Sequence, residues 1–162
     1  TPANAHPKRP IEGMALERQE VSGTRIWNLM EGHYGTAKST FEHLFVVNHC
    51  PLLLLGERGQ NITPNNVPAA VIAPVLEACD EHLREVVDIL GITCIIGIGK
   101  YAEQRARKAL NASKTGAGTS PSGREISIDT CWHPSPASPR ANKNNGEDWR
   151  ENVVACLQRN AE

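Results

Sequence analysis

The chain has 162 residues, of which 40% are hydrophobic and 22% are charged, and its formal net charge is −1. These totals are typical of one globular domain that buries a core, and we predict a single domain over residues 1–162. No apolar run approaches the roughly 20 residues of a membrane-spanning helix, so we expect no membrane partner. A charge close to zero gives no general attraction for a nucleic acid, and any basic surface must therefore be local.

Five cysteines are scattered along the chain without a C-x-x-C pair. An odd number at irregular spacing is typical of buried thiols in a reducing compartment. They are Cys50, Cys79, Cys94, Cys131 and Cys156.

The first part of the chain predicts short helices after an irregular start. Residues 1–13 are rich in proline and predict an irregular arm. Ser22 and Gly23 offer a cap for a short helix over the apolar positions of residues 26–30. Thr36 offers a cap for the next helix.

Three apolar runs then predict strands, and helical patterns separate them. Residues 45–47 are apolar, as expected for a strand buried on both faces, and residues 92–98 and 126–129 repeat this character. Residues 75–90 place apolar side chains at helical spacing. A basic helix is predicted over residues 101–110.

This order of elements, closed by a last helix that opens at Glu147, predicts an α/β fold: a three-layer sandwich with a mostly parallel central sheet. Sites in such sheets lie beyond the carboxyl ends of the strands. Asn48 follows the first predicted strand and His133 follows the third. Gly99 and Lys100 follow the second. We therefore predict that these residues form one site.

A proline-rich stretch follows the third predicted strand. Residues 130–143 contain three prolines within six positions, and proline neither continues a helix nor pairs in a central strand. The sequence predicts a stiff, protruding loop with His133 at its root and two cations, Arg140 and Lys143, at its far end. By composition alone the stretch also fits a surface connector.

The turn at residues 97–102 resembles a shortened phosphate-binding turn, in which glycines let backbone N–H groups approach an anion. A tight strand-to-helix turn explains the same residues. We interpret the basic side chains of the following helix, among them Arg105 and Arg107, as a solvated face. Cys131 and His133 lack a second close pair of metal ligands, so we predict no metal site.

Several stretches, in order, resemble the single-strand selective monofunctional uracil-DNA glycosylases within the wider uracil-DNA glycosylase superfamily. So many ordered matches are more specific than any single motif. The stretches are H-P-K-R-P at residues 6–10, E-V-S-G at 20–23, F-V-V-N-H-C-P-L at 45–52, G-I-G-K-Y-A-E-Q-R-A-R at 97–107, H-P-S-P at 133–136 and A-N-K at 141–143.

The resemblance implies a role for each part of the predicted site. The family's strand-end asparagine, here Asn48, reads the edge of a uracil flipped out of DNA, and its H-P-S-P histidine, here His133, stabilises the departing base. The loop after the histidine is similar to the family's wedge, which enters the duplex, and Gly99 and Lys100 would hold a phosphate. The DNA-binding residues implied in the loop are Pro134, Ser135, Pro136, Ala137, Ser138, Pro139, Arg140, Asn142 and Lys143.

The chain departs from the family pattern at three places. Val47 and His49 stand where the family usually has a histidine and a tyrosine. Ala137 and Ser138 replace an Arg-Asn pair in the wedge. The family's Gly-Met-Asn-Pro-Gly-Pro motif, whose asparagine positions the attacking water, does not occur in residues 1–162. We therefore expect an N-terminally incomplete domain without its first strand.

These features predict a monofunctional uracil-DNA glycosylase of base-excision repair, with oxidised uracils as further candidate substrates. We expect water as the nucleophile and no cofactor. We also expect single- and double-stranded uracil-containing DNA as partners, a monomer, and a nuclear location. One alternative is a non-catalytic module that binds damaged DNA, because the water-positioning motif is absent. Another is a nucleotide-binding α/β domain that uses the turn at residues 97–102.

Overall fold

A computed structural model describes residues 5–17 and 19–161, and these residues form an α/β fold around a small sheet. The strands are β1 (Cys94–Ile98), β2 (Gly118–Thr119) and β3 (Glu125–Cys131), in the spatial order β1-β3-β2. β1 and β3 run parallel, whereas β2 pairs antiparallel with β3. The predicted parallel pairing of the second and third strands is therefore confirmed, and the sheet as a whole is mixed.

Helices make up most of the remaining regular structure. They are α1 (Val21–Tyr34), α2 (Ala37–His43), α3 (Ala69–Ile89), α4 (Lys100–Ala109), α5 (Pro139–Asn142) and α6 (Glu147–Arg159). Short 3-10 turns lie at Gly13–Ala15, Pro64–Asn66 and Lys143–Gly146. Within the described ranges, no helix has the length and apolar character needed to cross a bilayer.

The amino ends of the first two helices are fixed by side-chain caps. The hydroxyl of Thr36 accepts a hydrogen bond from the backbone N–H of Ser39 at 3.1 Å, which confirms the predicted cap of α2. Glu20, rather than the predicted Ser22, caps α1, and its carboxylate accepts the N–H groups of Ser22 and Gly23. A carboxylate at this position also stabilises the positive end of the helix dipole.

α3 is longer than the sequence pattern indicates. It begins at Ala69, so Pro74 lies inside the helix. Thr63, which precedes a proline as a helix cap often does, caps only the 3-10 turn Pro64–Asn66 and not the long helix. Gly91, with φ +65°, follows the end of α3.

The predicted strand over residues 45–47 does not form in the described structure. These residues have no regular secondary structure, and Phe45 and Val47 are 56% and 41% exposed. A β-branched run becomes a strand only where a neighbouring backbone accepts its hydrogen bonds. Asn48 therefore follows an irregular segment, not a strand end.

Two hydrophobic clusters lie on opposite faces of the sheet. Ile96 packs against a cluster formed mainly by α1 and α6, in which Trp149 is 2% exposed. Ile95 packs against the second cluster, which includes Val87 of α3 and Leu110 after α4. Successive residues of a strand point to opposite faces, so the sheet carries helices on both sides.

Hydrogen bonds from α6 fix the segment that leads out of β3. The indole N–H of Trp149 donates to the carbonyl oxygen of Trp132 at 2.9 Å, and the N–H of Trp132 donates to the Asn152 side chain at 2.8 Å. Trp132 directly precedes His133. The root of the proline-rich loop is thereby fixed to the core.

Candidate functional site

Gly99 brings the ends of the two parallel strands together. It connects β1 to α4, and its N–H donates to the carbonyl oxygen of Cys131, the last residue of β3, at 2.8 Å. A Cβ at Gly99 would lie 3.1 Å from the Cβ of His133. The structure therefore brings two of the predicted site residues, Gly99 and His133, into contact. Their contact lies beside the amino end of α4.

His133 is exposed to solvent, and one hydrogen bond determines which ring nitrogen carries the proton in its neutral form. The backbone N–H of Ser135 donates to Nδ1 of His133 at 3.1 Å. An imidazole nitrogen that accepts a hydrogen bond carries no proton, so the neutral ring carries its proton on Nε2. His133 therefore offers an N–H donor at the free end of its ring.

The first turn of α1 lies beside His133. The N–H of Gly23 lowers the pKa of the Glu20 carboxyl, partial burial opposes this effect, and the neighbouring His133 imidazole contributes to the lowering. Glu20 is therefore ionised at neutral pH, on the same side of the molecule as the candidate histidine.

Arg25 of α1 binds the proline-rich loop at both ends. Its guanidinium donates to the carbonyl oxygen of Pro134 at 2.8 Å and to the side-chain oxygen of Asn142 at 3.0 Å. The side chain of Asn142 in turn donates to the carbonyl oxygens of Pro136 and Ser138, at 2.7 and 3.2 Å. The loop is thus held by specific contacts, as expected for a stiff element and not for a loose connector.

The predicted DNA-binding residues of the loop differ in exposure. Pro134 is fully buried, Ser135 and Ser138 are half-buried, and the other members are exposed. The guanidinium of Arg140 lies 5.3 Å from the centre of the Trp132 ring, a cation–π contact. The exposed members are Pro136, Ala137, Pro139, Arg140, Asn142 and Lys143.

Two lysines flank the loop and the turn. The Lys143 ammonium pairs with Asp148 at 3.0 Å, yet its side chain stays 70% exposed. Lys100, in the first turn of α4, is 76% exposed, and its ammonium lies 3.6 Å from the Glu103 carboxylate. Only the carboxylate partner of each pair is largely buried, and both ammonium groups remain on the surface, where a phosphate could reach them.

Asn48 is exposed, and its neighbour His49 connects it to α4. The His49 ring meets the ring of Tyr101 edge-on, with centroids 6.0 Å apart, and Tyr101 lies in the first turn of α4. Gly99 joins the same end of α4 to His133. Two shallow clefts in the described structure include neither Asn48 nor His133. One is lined by Gln19, Glu20, Gly23, Thr24, Trp27 and Asn28, and the other by Pro51, Leu52, Pro74, Val75, Ala78, Cys79 and His82.

A buried ionic cluster that the sequence did not reveal lies behind Asn48. His49 Nε2 lies 2.8 Å from one Asp80 carboxylate oxygen, and Arg105 donates to the other at 2.5 Å. The His49 and Asp80 side chains are 7% and 5% exposed, and that of Arg105 is 13% exposed. The interpretation of Arg105 as part of a solvated face is therefore wrong.

The position of Asp80 along α3 was the sequence signal that could have revealed this cluster. Asp80 stands three and seven residues before Leu83 and Val87, so it lies on the apolar face of α3. A carboxylate on a core-facing position needs a buried partner. The partner had to come from another element, and the sequence pattern does not identify it.

Arg107 is also structural. It donates to the Glu103 carboxylate at 3.0 Å and to the carbonyl oxygens of Gly116 and Ile128 at 2.9 and 3.0 Å. Its side chain is 16% exposed. The interpretation of Arg107 as solvated is therefore wrong as well, because the guanidinium holds the loop before β2 and the edge of β3.

A second carboxylate lies beneath the site, between β3 and the end of α6. Burial acts to raise the pKa of Asp129, but hydrogen bonds outweigh burial and lower it to about 2. The donors are the Thr130 N–H and the side chains of Asn160, Cys156 and Arg159.

The cysteines near the site are poor metal ligands. Burial raises the pKa of the Cys131 thiol to about 11, and burial together with Asp129 raises that of Cys156 to about 12. Metals bind thiolates, and these thiols are protonated at neutral pH. Among the described residues, no group of three or more His, Cys, Asp or Glu side chains could hold a metal ion.

Comparison with known proteins identifies clear relatives. The chain is 43% identical over 143 residues to a single-strand selective monofunctional uracil DNA glycosylase from Bos taurus, with 88% of this chain and 49% of the relative covered. Proteins of the same name from Rattus norvegicus and Mus musculus are 42% identical over 143 residues, with 88% of this chain and 48% of each relative covered. No family model matches the chain.

The length of these matches determines which conclusions they support. The chain spans about half the length of the curated relatives it matches, and the match includes most of its own residues. Identity of this degree over 143 residues reflects common descent and a shared local structure. The chain belongs to the family of the single-strand selective monofunctional uracil-DNA glycosylases.

Proposed function

We propose that the protein is a monofunctional DNA glycosylase of base-excision repair, which hydrolyses the bond between uracil and deoxyribose in DNA. The observation that carries this proposal is the arrangement of His133. Its Nδ1 accepts the Ser135 N–H, and its exposed Nε2–H is left as a donor beside the Gly99 turn. The relatives named above support the same reaction class.

In this proposal the Nε2–H of His133 acts on the leaving base. Cleavage of the N-glycosidic bond leaves positive charge on the sugar and negative charge on uracil, largely at O2. A donor aimed at that oxygen gains strength as the charge develops, and so it lowers the barrier more than it tightens substrate binding. A neutral imidazole can serve as this donor because Nδ1 is already occupied. Water completes the reaction at the sugar, without a cofactor.

Asn48 serves as the base reader in this proposal. Uracil presents an acceptor at O4 and a donor at N3, and the exposed Asn48 amide offers a matching donor and acceptor. A base inside a duplex cannot reach such a side chain, so the nucleotide must first flip out of the stack. Oxidised uracils keep this edge and are further candidate substrates.

The exposed part of the proline-rich loop serves as the DNA contact. Pro136, Ala137 and Ser138 would enter the space that the flipped nucleotide leaves, and Arg140 and Lys143 would bind flanking phosphates. Gly99 and Lys100 would bind a further phosphate at the amino end of α4. The proposed substrates are uracil-containing single- and double-stranded DNA, bound by a monomer in the nucleus.

We also infer that the sheet of the whole protein is mostly parallel and lies between two helix layers, with residues 45–47 as an additional strand. The exposed apolar side chains of Phe45 and Val47 support this inference. Burial of the part of both side chains that is still exposed would contribute about 1.5–3 kcal/mol.

The function is tested with an oligonucleotide that contains one uracil, incubated with the protein and then treated with alkali. We expect strand breakage only at the uracil, and His133→Ala should lower the single-turnover rate by about 10²–10³-fold with little change in DNA affinity. His82→Ala removes an exposed histidine of α3 and is the matched control. Tight binding without breakage by the unaltered protein would contradict the proposal and favour a damage-binding module.

A further inference from the structure

We propose that Arg25 is a positioning residue that fixes the orientation of His133 by closing the loop behind it. The catalytic consequence rests on the proposed function, whereas the structural consequence does not. The segment from His133 to Asn142 is called the His133 loop below.

Arg25 contacts both ends of the His133 loop with one guanidinium. Nη1 donates to the carbonyl oxygens of Pro134 and Ala141, at 2.8 and 3.4 Å, and Nη2 donates to the Asn142 side-chain oxygen at 3.0 Å. These acceptors lie 109 to 117 positions away in the sequence. These contacts join the two ends of the loop to each other through a side chain of α1.

The Pro134 carbonyl is the contact closest to the candidate catalytic group. Pro134 follows His133 directly, has no N–H and is fully buried, so its carbonyl depends on an outside donor. Arg25 supplies that donor. Without it the carbonyl would lose a charge-assisted hydrogen bond, and the backbone beside His133 would be free to turn towards water.

Asn142 carries the restraint from the ends of the loop to its middle. Its side-chain oxygen accepts from Arg25, and its NH₂ group donates to Pro136 and Ser138. The oxygen of this amide is therefore bound to α1, and its nitrogen is bound to the middle of the loop. An arginine contact at one edge therefore restrains the backbone on either side of Ser135, whose N–H holds His133 Nδ1.

The shape of the guanidinium explains why arginine stands at this position. Three acceptors on two chain segments require a planar, forked donor, and lysine offers a single point charge. Among the described residues, Arg25 forms no ion pair with a carboxylate, and all its hydrogen-bond acceptors belong to the His133 loop. Its contacts are thus directed to the loop alone.

The first test measures the orientation of His133 without any substrate. In Arg25→Gln we expect faster hydrogen exchange at the Ser135 N–H, and imidazole nitrogen chemical shifts that indicate a mixture of the two neutral tautomers. Arg25→Lys should give an intermediate result. Arg150→Gln, at an exposed position of α6, is the matched control and should leave both signals unchanged. Unchanged exchange and chemical shifts in a folded Arg25→Gln protein would overturn the proposal.

The second test measures catalysis with the same variants and a uracil-containing oligonucleotide. A shift of about 1 Å in a catalytic group costs about 10²-fold in rate, so we expect Arg25→Gln to lower the single-turnover rate by about that factor, and more than it weakens binding. Equal losses in rate and in affinity, or a rate within threefold of the unaltered protein, would contradict positioning. If the unaltered protein cleaves no uracil, the proposed function fails, and the exchange experiment still decides the role of Arg25.

Asn142→Ala keeps the test decisive if Arg25→Gln does not fold. This variant removes one acceptor of Arg25 and both links to the middle of the loop, while the contact with Pro134 remains. We expect the tautomer signal of His133 to change in the same direction but by less. A clear change of this signal in Asn142→Ala, together with an unchanged signal in Arg25→Lys, would overturn the assignment of the restraint to Arg25.

Discussion

At the scale of single residues, Gly99 meets two requirements together. Its φ of +88° lies in the left-handed region that favours glycine, and a Cβ there would lie 3.1 Å from the Cβ of His133. The first means that any other residue would strain the backbone, and the second means that its Cβ would press against the candidate catalytic side chain. The two effects can be separated experimentally, because a substitution at another glycine would strain the backbone without touching His133.

We predict that Gly99→Ala lowers both stability and uracil cleavage, whereas Gly123→Ala lowers stability alone. Gly123 has a φ of +86° and open space around its Cβ position, so it is the matched control. Each change should cost about 1–2 kcal/mol of unfolding free energy through the backbone. Only Gly99→Ala should also lower the single-turnover rate. We expect a loss of about 10-fold or more, because the new Cβ would displace the His133 side chain. Equal cleavage rates for the two variants would show that the close approach of Gly99 to His133 does not affect catalysis.

Single residues were also where sequence reasoning was least complete. His133 and Gly99 could be predicted to lie together because each follows a separate parallel strand. Arg105 and Arg107 could not be assigned, since a basic helix reads the same whether its guanidinium groups reach water or buried carbonyl and carboxylate oxygens. The difference is set by the elements that pack on the helix, which the local sequence does not contain.

At the scale of elements, the ionic cluster of His49, Asp80 and Arg105 ties the segment after Asn48 to both α3 and α4. Breaking a buried pair by removing one partner leaves an uncompensated charge in the core. The side chains of Asp80 and Arg105 are 5% and 13% exposed, so removal of Asp80 would leave the guanidinium largely buried without its ion-pair partner. The cluster thus holds the segment that follows Asn48 in place by the same contacts that join the helices.

We predict that Asp80→Ala lowers the free energy of unfolding by about 3–5 kcal/mol. The matched control is Glu42→Ala, which removes an exposed carboxylate 3.9 Å from Lys38 and should change stability by less than about 0.5 kcal/mol. Urea denaturation followed by circular dichroism measures both changes. A loss below 1 kcal/mol for Asp80→Ala, against about 3 expected, would mean that the cluster contributes no net stability.

Elements were predicted well where the pattern is long and local. The helix predicted over residues 75–90 and the helix predicted to open at Glu147 both formed, and the first of them begins earlier, at Ala69. The strand expected at residues 45–47 did not form, because a strand depends on a partner and its sequence carries no information on whether that partner is present. The antiparallel β2, two residues long, was too short to give any pattern.

At the scale of the whole molecule, Asp129 couples folding to pH. Its folded pKa of about 2 lies below the ordinary value of 3.8. The ionised form therefore stabilises the folded state, fully above about pH 4, and this stabilisation is lost as pH falls from about 4 to about 2. The difference corresponds to about 2 kcal/mol.

We predict that Asp129→Asn is less stable than the unaltered protein by about 2 kcal/mol at pH 7 and that the gap closes between pH 4 and pH 2. Urea unfolding at a series of pH values measures the gap. Glu125→Gln removes an exposed carboxylate from the same strand and is the matched control. A gap that stays constant down to about pH 2 would exclude the ionised Asp129 as its source.

The protonated thiols of Cys131 and Cys156 have a practical consequence for anyone who handles this protein. Alkylating reagents and mild oxidants react with thiolates, and pKa values of about 11 and 12 together with burial leave almost none at neutral pH. Both sulfur atoms become reactive only when β3 separates from α6. Labelling of these two positions therefore reports unfolding at the base of the His133 loop, and the chain carries its own chemical probe for the integrity of that region.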